Sequence, residues 1–335
     1  MADTNDDVTE EISSSQGQQT HEVDYQKSDH NVYLESITIY PIKSCGGFTV
    51  DSWPLSTSGL LYDREWVVVS TSSHALTQKK CPMMCLIGTY IEQSKNMLFV
   101  TSPSMTTRLE IPVFPAAQQA DPVRFNLCGE RSFGISYEKE VADWFTEALG
   151  TPCSLVKRQP RSRQVHLRGG DSEPQICDDA RDLSYANEGQ FLLVSRASVD
   201  NLNQRAALSL QSNKPNHKRL THNPVIPVDP LRFRPNFVVS GGSAFDEDRW
   251  QSLNIEGNKF VVLGGCNRCQ MINIDQATGR SQDGSNPLLT LAAYRRSKGK
   301  ILFGLLLAND QQQVRTHTTA DRVIKVGSNV DANRM

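Results

Sequence analysis

Apolar and polar residues alternate from Tyr33 to Ile42, and Leu34, Ile37 and Ile39 are β-prone, so this stretch predicts a strand. Ser58-Gly59 marks a turn, Glu65 to Ser70 is a continuous strand, and Met97 to Thr101 and Arg108 to Val113 add two short ones. Val123 to Tyr137 predicts a strand pair around Cys128-Gly129. Period 3.6 then takes over. Val141, Trp144, Phe145 and Ala148 share one face of a helix from Lys139 to Leu149, and Gly150 stops it. The chain from Lys157 to Arg168 carries five basic residues among Pro and Gly neighbours, which predicts an exposed basic loop, with a docking surface for an anion as the alternative. Gln190 to Val194 predicts a strand and Ser195 to Ala207 a helix. The polar run from Leu208 to Asp229 predicts a surface excursion.

The C-terminal part returns to strands. They are Phe237 to Ser240, a hairpin of Leu253 to Ile255 and Phe260 to Leu263 across Glu256-Gly257-Asn258, Met271 to Ile274, Ile301 to Leu307 and Arg322 to Val326. Pro287 to Arg296 suits a helix, and Arg295, Arg296, Lys298 and Lys300 at its end read either as an exposed basic surface that complements its C-terminal carbonyls or as a docking surface for an anion. The pattern predicts a β-rich α+β fold: a distorted barrel with peripheral helices. Three segments follow from it: a tail over 1–31 rich in Ser, Gln, Asp and Glu, a β-rich subdomain over 32–150, and a second domain over 151–330.

Composition narrows the classes. The chain of 335 residues has 38% hydrophobic and 21% charged residues, as an ordinary globular protein does. A formal net charge of −2 argues against a nucleic-acid binder. No apolar run approaches the ~18 residues that span a bilayer, and the acidic start has neither a signal-peptide core nor a presequence, which predicts a cytosolic protein. Eight cysteines are too sparse for a disulfide framework in a reducing compartment.

The strongest chemical signal is Gly264-Gly265-Cys266-Asn267-Arg268-Cys269-Gln270, two thiols in a tight turn beside a guanidinium that favours thiolate. CxxC alone leaves several readings open: a soft-metal ligand, half a zinc site completed by Cys81 and Cys85, a dithiol redox pair, or two structural cysteines. Three other junctions of strand and loop carry phosphate-competent groups: Tyr40-Pro41-Ile42-Lys43-Ser44-Cys45, Leu61-Tyr62-Asp63-Arg64-Glu65-Trp66 and Arg232-Phe233-Arg234-Pro235-Asn236. Each alone also reads as a surface ion pair.

Together with GGCNRCQMINID and LAAYRRSKGKILFG, these motifs resemble the MOSC family. They are most similar to the C-terminal part of eukaryotic molybdenum cofactor sulfurases, and in looser form to the mitochondrial amidoxime reductases. The likeness runs from Val32 to Val326 in the family's order. It implies a β-barrel that binds molybdopterin, with Cys269 as the protein ligand to molybdenum and Cys266 as its neighbour. It also implies cofactor-binding roles for Lys43, Ser44, Arg64, Ser195, Arg234, Asn236, Asn267 and Arg268. The expected activity is sulfuration of the cofactor, with Cys266 or Cys269 accepting persulfide sulfur from a cysteine desulfurase and molybdenum enzymes receiving the product. The alternatives are an amidoxime-type reductase and a cofactor carrier. Full-length sulfurases carry a pyridoxal-phosphate desulfurase part, and no segment here reads as one, so pyridoxal phosphate is not expected in this chain.

Overall fold

Leu34, Ile37 and Ile39 are completely buried in the strand Tyr33–Ile39, which forms the seam of the main sheet. The computed structural model describes residues 31–115, 122–159, 164–165, 181–212, 227–281, 287–310, 313–314 and 322–334. The main sheet runs in the order Phe48–Val50, Tyr33–Ile39, Phe237–Ser240, Phe191–Ser195, Lys300–Asn309, Asn258–Asn267, Trp250–Ile255 and Val330–Arg334, with Arg296–Ser297 paired to Lys300–Asn309. Phe191–Ser195 and Phe237–Ser240 are parallel, and the other neighbours are antiparallel.

The sheet closes on itself. Tyr33 bridges Asn329, Leu34 N–H donates to the Ser328 carbonyl at 2.9 Å, and Val330 N–H donates to the Val32 carbonyl at 2.8 Å. Closure joins the first strand to the last and removes two open edges. Inside, Phe191, Phe237 and Phe260 pack ring to ring with centroids 5.2 to 5.8 Å apart. Full burial of aromatic rings of this size is a main source of the barrel's stability.

A four-stranded sheet stands beside the barrel in the order Trp66–Ser70, Cys153–Arg158, Glu130–Ser136 and Val123–Leu127. Its last two strands meet at Cys128-Gly129, both with positive φ (54° and 98°), a two-residue turn of the primed kind. The strands Gly88–Glu92, Met97–Thr101 and Leu109–Pro112 form a third sheet. Ser52–Ser56 pairs with both Gly59–Leu60 and Val323–Lys325, tying the start of the chain to its end. Three helices complete the described residues: α1 (Lys139–Leu149), α2 (Arg196–Ser212) and α3 (Pro287–Tyr294). α1 buries Val141, Trp144 and Phe145 and ends at Gly150 with φ 63°, as the sequence predicts. α2 and α3 cover the barrel through Val199, Leu202 and Leu291, which pack with Val194 and Phe303. None of the described helices is long and apolar enough to cross a membrane.

Two expectations need correction. Met271 to Ile274 is a short 3-10 helix, Gln270–Asn273, because the Ile272 and Ile274 amides turn back to the Cys269 and Met271 carbonyls. A short apolar run does not separate strand from turn by pattern alone. Lys157 and Arg158 lie in the strand Cys153–Arg158 and are buried, so they are no part of an exposed basic loop. Lys157 Nζ bonds Glu65 at 3.1 Å and sits 3.9 Å from the Trp66 ring centre, and Arg158 makes a forked pair with Asp182 at 2.7 and 3.0 Å. Arg161, Arg163, Arg168 and the 1–30 tail lie outside the described residues.

Candidate functional site

Lys43 and Ser44 follow the first barrel strand, and Arg64 precedes Trp66–Ser70. Arg234 and Asn236 precede Phe237–Ser240, and Cys266, Arg268 and Cys269 lie where Asn258–Asn267 runs into the 3-10 turn. All eight line one cleft of about 200 Å³, together with Cys128, Asn187, Glu188 and Met271. Residues 222 positions apart in sequence (266 − 44) thus share one wall because the barrel places their strand ends side by side.

Arg64 and Arg234 are built into the wall as a pair. Arg64 pairs with the buried Asp63, donates to Asn236 Oδ1 at 2.8 Å and donates to the Arg234 carbonyl at 2.9 Å. Arg234 donates to the Cys45 carbonyl at 2.6 Å. The Tyr40 ring lies between them, 4.6 Å from the Arg64 guanidinium and 4.3 Å from that of Arg234. Asn236 spans the gap: its Oδ1 also accepts from Leu192 N–H at 3.2 Å, and its Nδ2 donates to the Thr38 carbonyl at 3.2 Å. Lys43 Nζ donates to the Tyr185 carbonyl at 2.8 Å and to Asn187 Oδ1 at 2.5 Å. Ser44, Arg64, Arg234 and Cys128 all hold positive φ, between 50° and 71°. Such backbone is costly for residues with a Cβ, and its concentration around one cleft is a mark of a functional surface.

Arg268 carries the sharpest signal. It is buried, its Nε donates to the Phe303 carbonyl at 2.8 Å and its Nη1 to the Phe233 carbonyl at 3.3 Å, while its Nη2 has no partner among the described residues. Neither Arg234 nor Arg268 has a carboxylate partner among the described residues. A buried cation without a counter-charge is costly, and an anionic ligand would remove that cost. Burial disfavours the charged form of Arg234 and pulls its pKa down.

The thiols differ. Burial pushes the Cys266 thiol up, and the attraction of Arg268 is the smaller, opposing effect. The sequence-based expectation that Arg268 makes both thiols thiolate is therefore corrected for Cys266: desolvation wins there. Cys269 is half-exposed and begins the 3-10 turn. The Cys81 and Cys85 pair stands apart, with Cys85 Sγ against the Asp275 carbonyl at 3.8 Å. Among the described residues no three ligand-type side chains gather to hold a metal unaided.

Two of the sequence-derived residues are placed off the cleft. Ser195 is buried at the strand end that leads into α2, and exposed Asn267 accepts from Ile301 N–H at 3.1 Å. Conversely, Tyr40, Asn187, Glu188 and Cys128 were not marked by any motif as site residues, apart from the Tyr40 position in Tyr40-Pro41-Ile42-Lys43-Ser44-Cys45. Arg295, marked as a helix-end cation, makes a forked pair with Asp248 at 2.7 and 2.9 Å.

The fold agrees with the family models that match the chain. The MOSC N-terminal beta barrel domain matches residues 31–152 and the MOSC domain matches residues 180–331. The chain belongs to the MOSC-domain family. It is 43% identical to molybdenum cofactor sulfurase of Solanum lycopersicum over 90% of this chain and 36% of the relative. It is 42% identical to that of Oryza sativa over 91% and 36%, and 31% identical to that of Homo sapiens over 82% and 30%. The chain thus spans about a third of the length of these relatives. The YUAD protein from Bacillus subtilis is 11% identical over 91% of this chain and 97% of its own, with a TM-score of 0.32.

Proposed function

We propose that this chain binds molybdenum cofactor in the cleft and takes part in its sulfuration. The observation that carries this reading is the buried Arg268, whose Nη2 has no acceptor among the described residues and which lines a cleft together with Lys43, Arg64, Arg234 and two thiols. The donor set fits the group. An anionic pterin phosphate suits the three other cations with Ser44 and Asn236, and a soft thiolate at Cys269 suits molybdenum. Cys269 is assigned as the metal's protein ligand because it is half-exposed and no hydrogen bond among the described residues engages its sulfur, whereas Cys266 is desolvated beside it. When bound, the cofactor supplies a metal centre whose terminal ligand can be exchanged for sulfide.

The protein's own part is to hold. Arg64 and Arg234, fixed by Tyr40 and Asn236, present their charge without reorganising when the anion arrives. Arg268, on the lining of the same cleft, adds a further buried charge. The sulfur comes from a persulfide on a cysteine desulfurase, the part for which the longer relatives have room, and the finished cofactor passes to molybdenum enzymes. The test is direct. Cofactor-loaded chain is incubated with a pyridoxal-phosphate cysteine desulfurase and L-cysteine, and cyanide-releasable terminal sulfide is measured. The expected result is close to one sulfide per bound cofactor. Cofactor retained with no sulfide gained would leave only a carrier.

A further inference from the structure

A cavity of about 480 Å³ lies at the far end of the strand Asn258–Asn267 from the cleft. Asn258 lines it and Cys266 lines the cleft, eight positions away (266 − 258). That much strand spans on the order of 25 Å. The walls of the cavity are fastened by side-chain amides. Gln313 Nε2 donates to the Gly257 carbonyl at 2.7 Å, and its Oε1 accepts from Lys259 N–H at 2.8 Å. Asn258 Nδ2 donates to the Ile255 carbonyl at 3.3 Å and to the Val323 carbonyl at 3.1 Å. The Glu256-Gly257 turn, with φ 50° and 79°, is thereby held beside Val323–Lys325. Alternation sorts that strand: Ile324 is completely buried in the core, while Val323 and Lys325 line the cavity.

The buried charge in this wall is positive. Arg322 lines the cavity at 5% exposure. Its Nη2 donates to Asn309 Oδ1 at 2.7 Å, and its Nε has no partner among the described residues. No ion pair among the described residues engages Arg322 or Lys325. Burial pulls the Arg322 pKa down, and the attraction of Asp310 opposes this only in part. A buried guanidinium with a neutral partner is costly, and an anion in the cavity would offset that cost. Glu256, exposed on the turn, is the one carboxylate among the described lining residues.

We propose that this cavity binds a phosphate ester of a small molecule, with Arg322 and Lys325 holding the phosphate. A guanidinium and an ammonium together suit a dianion. The volume leaves room beyond a bare phosphate and falls in the range of small-ligand sites. The proposal stands apart from the cofactor reading, because the cavity and the cleft share no described lining residue.

The test is titration of the whole chain with inorganic phosphate and with glycerol 3-phosphate at constant ionic strength, sodium chloride serving as the control, with amide shifts followed by NMR. Gly257, Val323 and Lys325 report the cavity, and Cys266 and Cys269 report the cleft. The expected result is saturable shifts at the first set, with tighter binding of the ester than of phosphate. Lys325→Ala changes an exposed side chain, so it should keep the fold and weaken binding about tenfold. Arg322→Met should abolish the shifts, and Glu256→Gln should tighten binding about twofold. Cavity shifts matched by chloride would mean an adventitious ion only and overturn the proposal. So would shifts confined to the cleft, or an affinity unchanged in Lys325→Ala. Phosphate bound as tightly as the ester would overturn the ester assignment.

Discussion

Arg268 and Glu247 show how single buried groups set the behaviour of this molecule. Arg268 spends two of its nitrogens on the carbonyls of Phe303 and Phe233 and leaves the third without a partner among the described residues. Arg268→Lys keeps the charge, but one ammonium cannot hold the carbonyls and reach the cleft with fork geometry. The variant should fold and bind molybdopterin about tenfold more weakly, a loss of roughly 1.4 kcal/mol, measured by equilibrium binding. Glu247 is buried away from the cleft. Its Oε1 accepts from Ser198 Oγ at 2.6 Å, and its Oε2 has no partner among the described residues. Burial raises its pKa from 4.5 to about 7. Between those values the folded chain keeps a proton that the unfolded chain has lost, so stability falls as pH rises through the window and the loss is complete above it. Glu247→Gln removes this dependence. In urea denaturation the variant should gain on the order of 3 kcal/mol at about pH 8 and almost nothing at about pH 4.

At the scale of elements, the cleft depends on how closely two barrel strands approach. Gly304 has φ 72°, and a Cβ there would meet the Leu193 carbonyl at 2.6 Å and Arg268 Nη2 at 3.1 Å. Gly304→Ala should therefore cost about 1–3 kcal/mol in denaturant unfolding and, on the proposed function, also weaken cofactor binding, because the displaced nitrogen is that of Arg268. The longer elements were legible in the sequence. The hairpin across Glu256-Gly257, the turn at Cys128-Gly129 and α1 all follow from turn chemistry and period. The strands that pattern did not reveal have physical reasons for hiding. Ser52–Ser56 contains Pro54, which demotes a run, and Val330–Arg334 buries only Val330, so backbone pairing alone makes it a strand. The cleft divides in the same way. Lys43, Arg64, Arg234 and Asn236 stand at strand ends where a sequence shows them. Asn187 and Cys128 join the site through contacts 144 and 59 residues apart, which no local pattern encodes.

At the scale of the whole molecule, closure of the barrel brings the two family-matched segments into one sheet. The strand Tyr33–Ile39 belongs to the first segment by sequence and pairs with Phe237–Ser240 of the second. The cleft takes Lys43, Ser44, Arg64 and Cys128 from one segment and Arg234, Asn236, Arg268 and the two other thiols from the other. A cofactor bound there touches both and should stabilise both together by mass action. The measurement that reaches the centre of this account is metal and pterin analysis of the chain purified from a host that makes molybdopterin, wild type beside Cys269→Ser. The account predicts about one molybdenum and one pterin per chain in wild type, with molybdenum lost and pterin largely kept in the variant, because the phosphate-holding cations are intact. Zinc without pterin in wild type, or molybdenum retained unchanged in the variant, would contradict it.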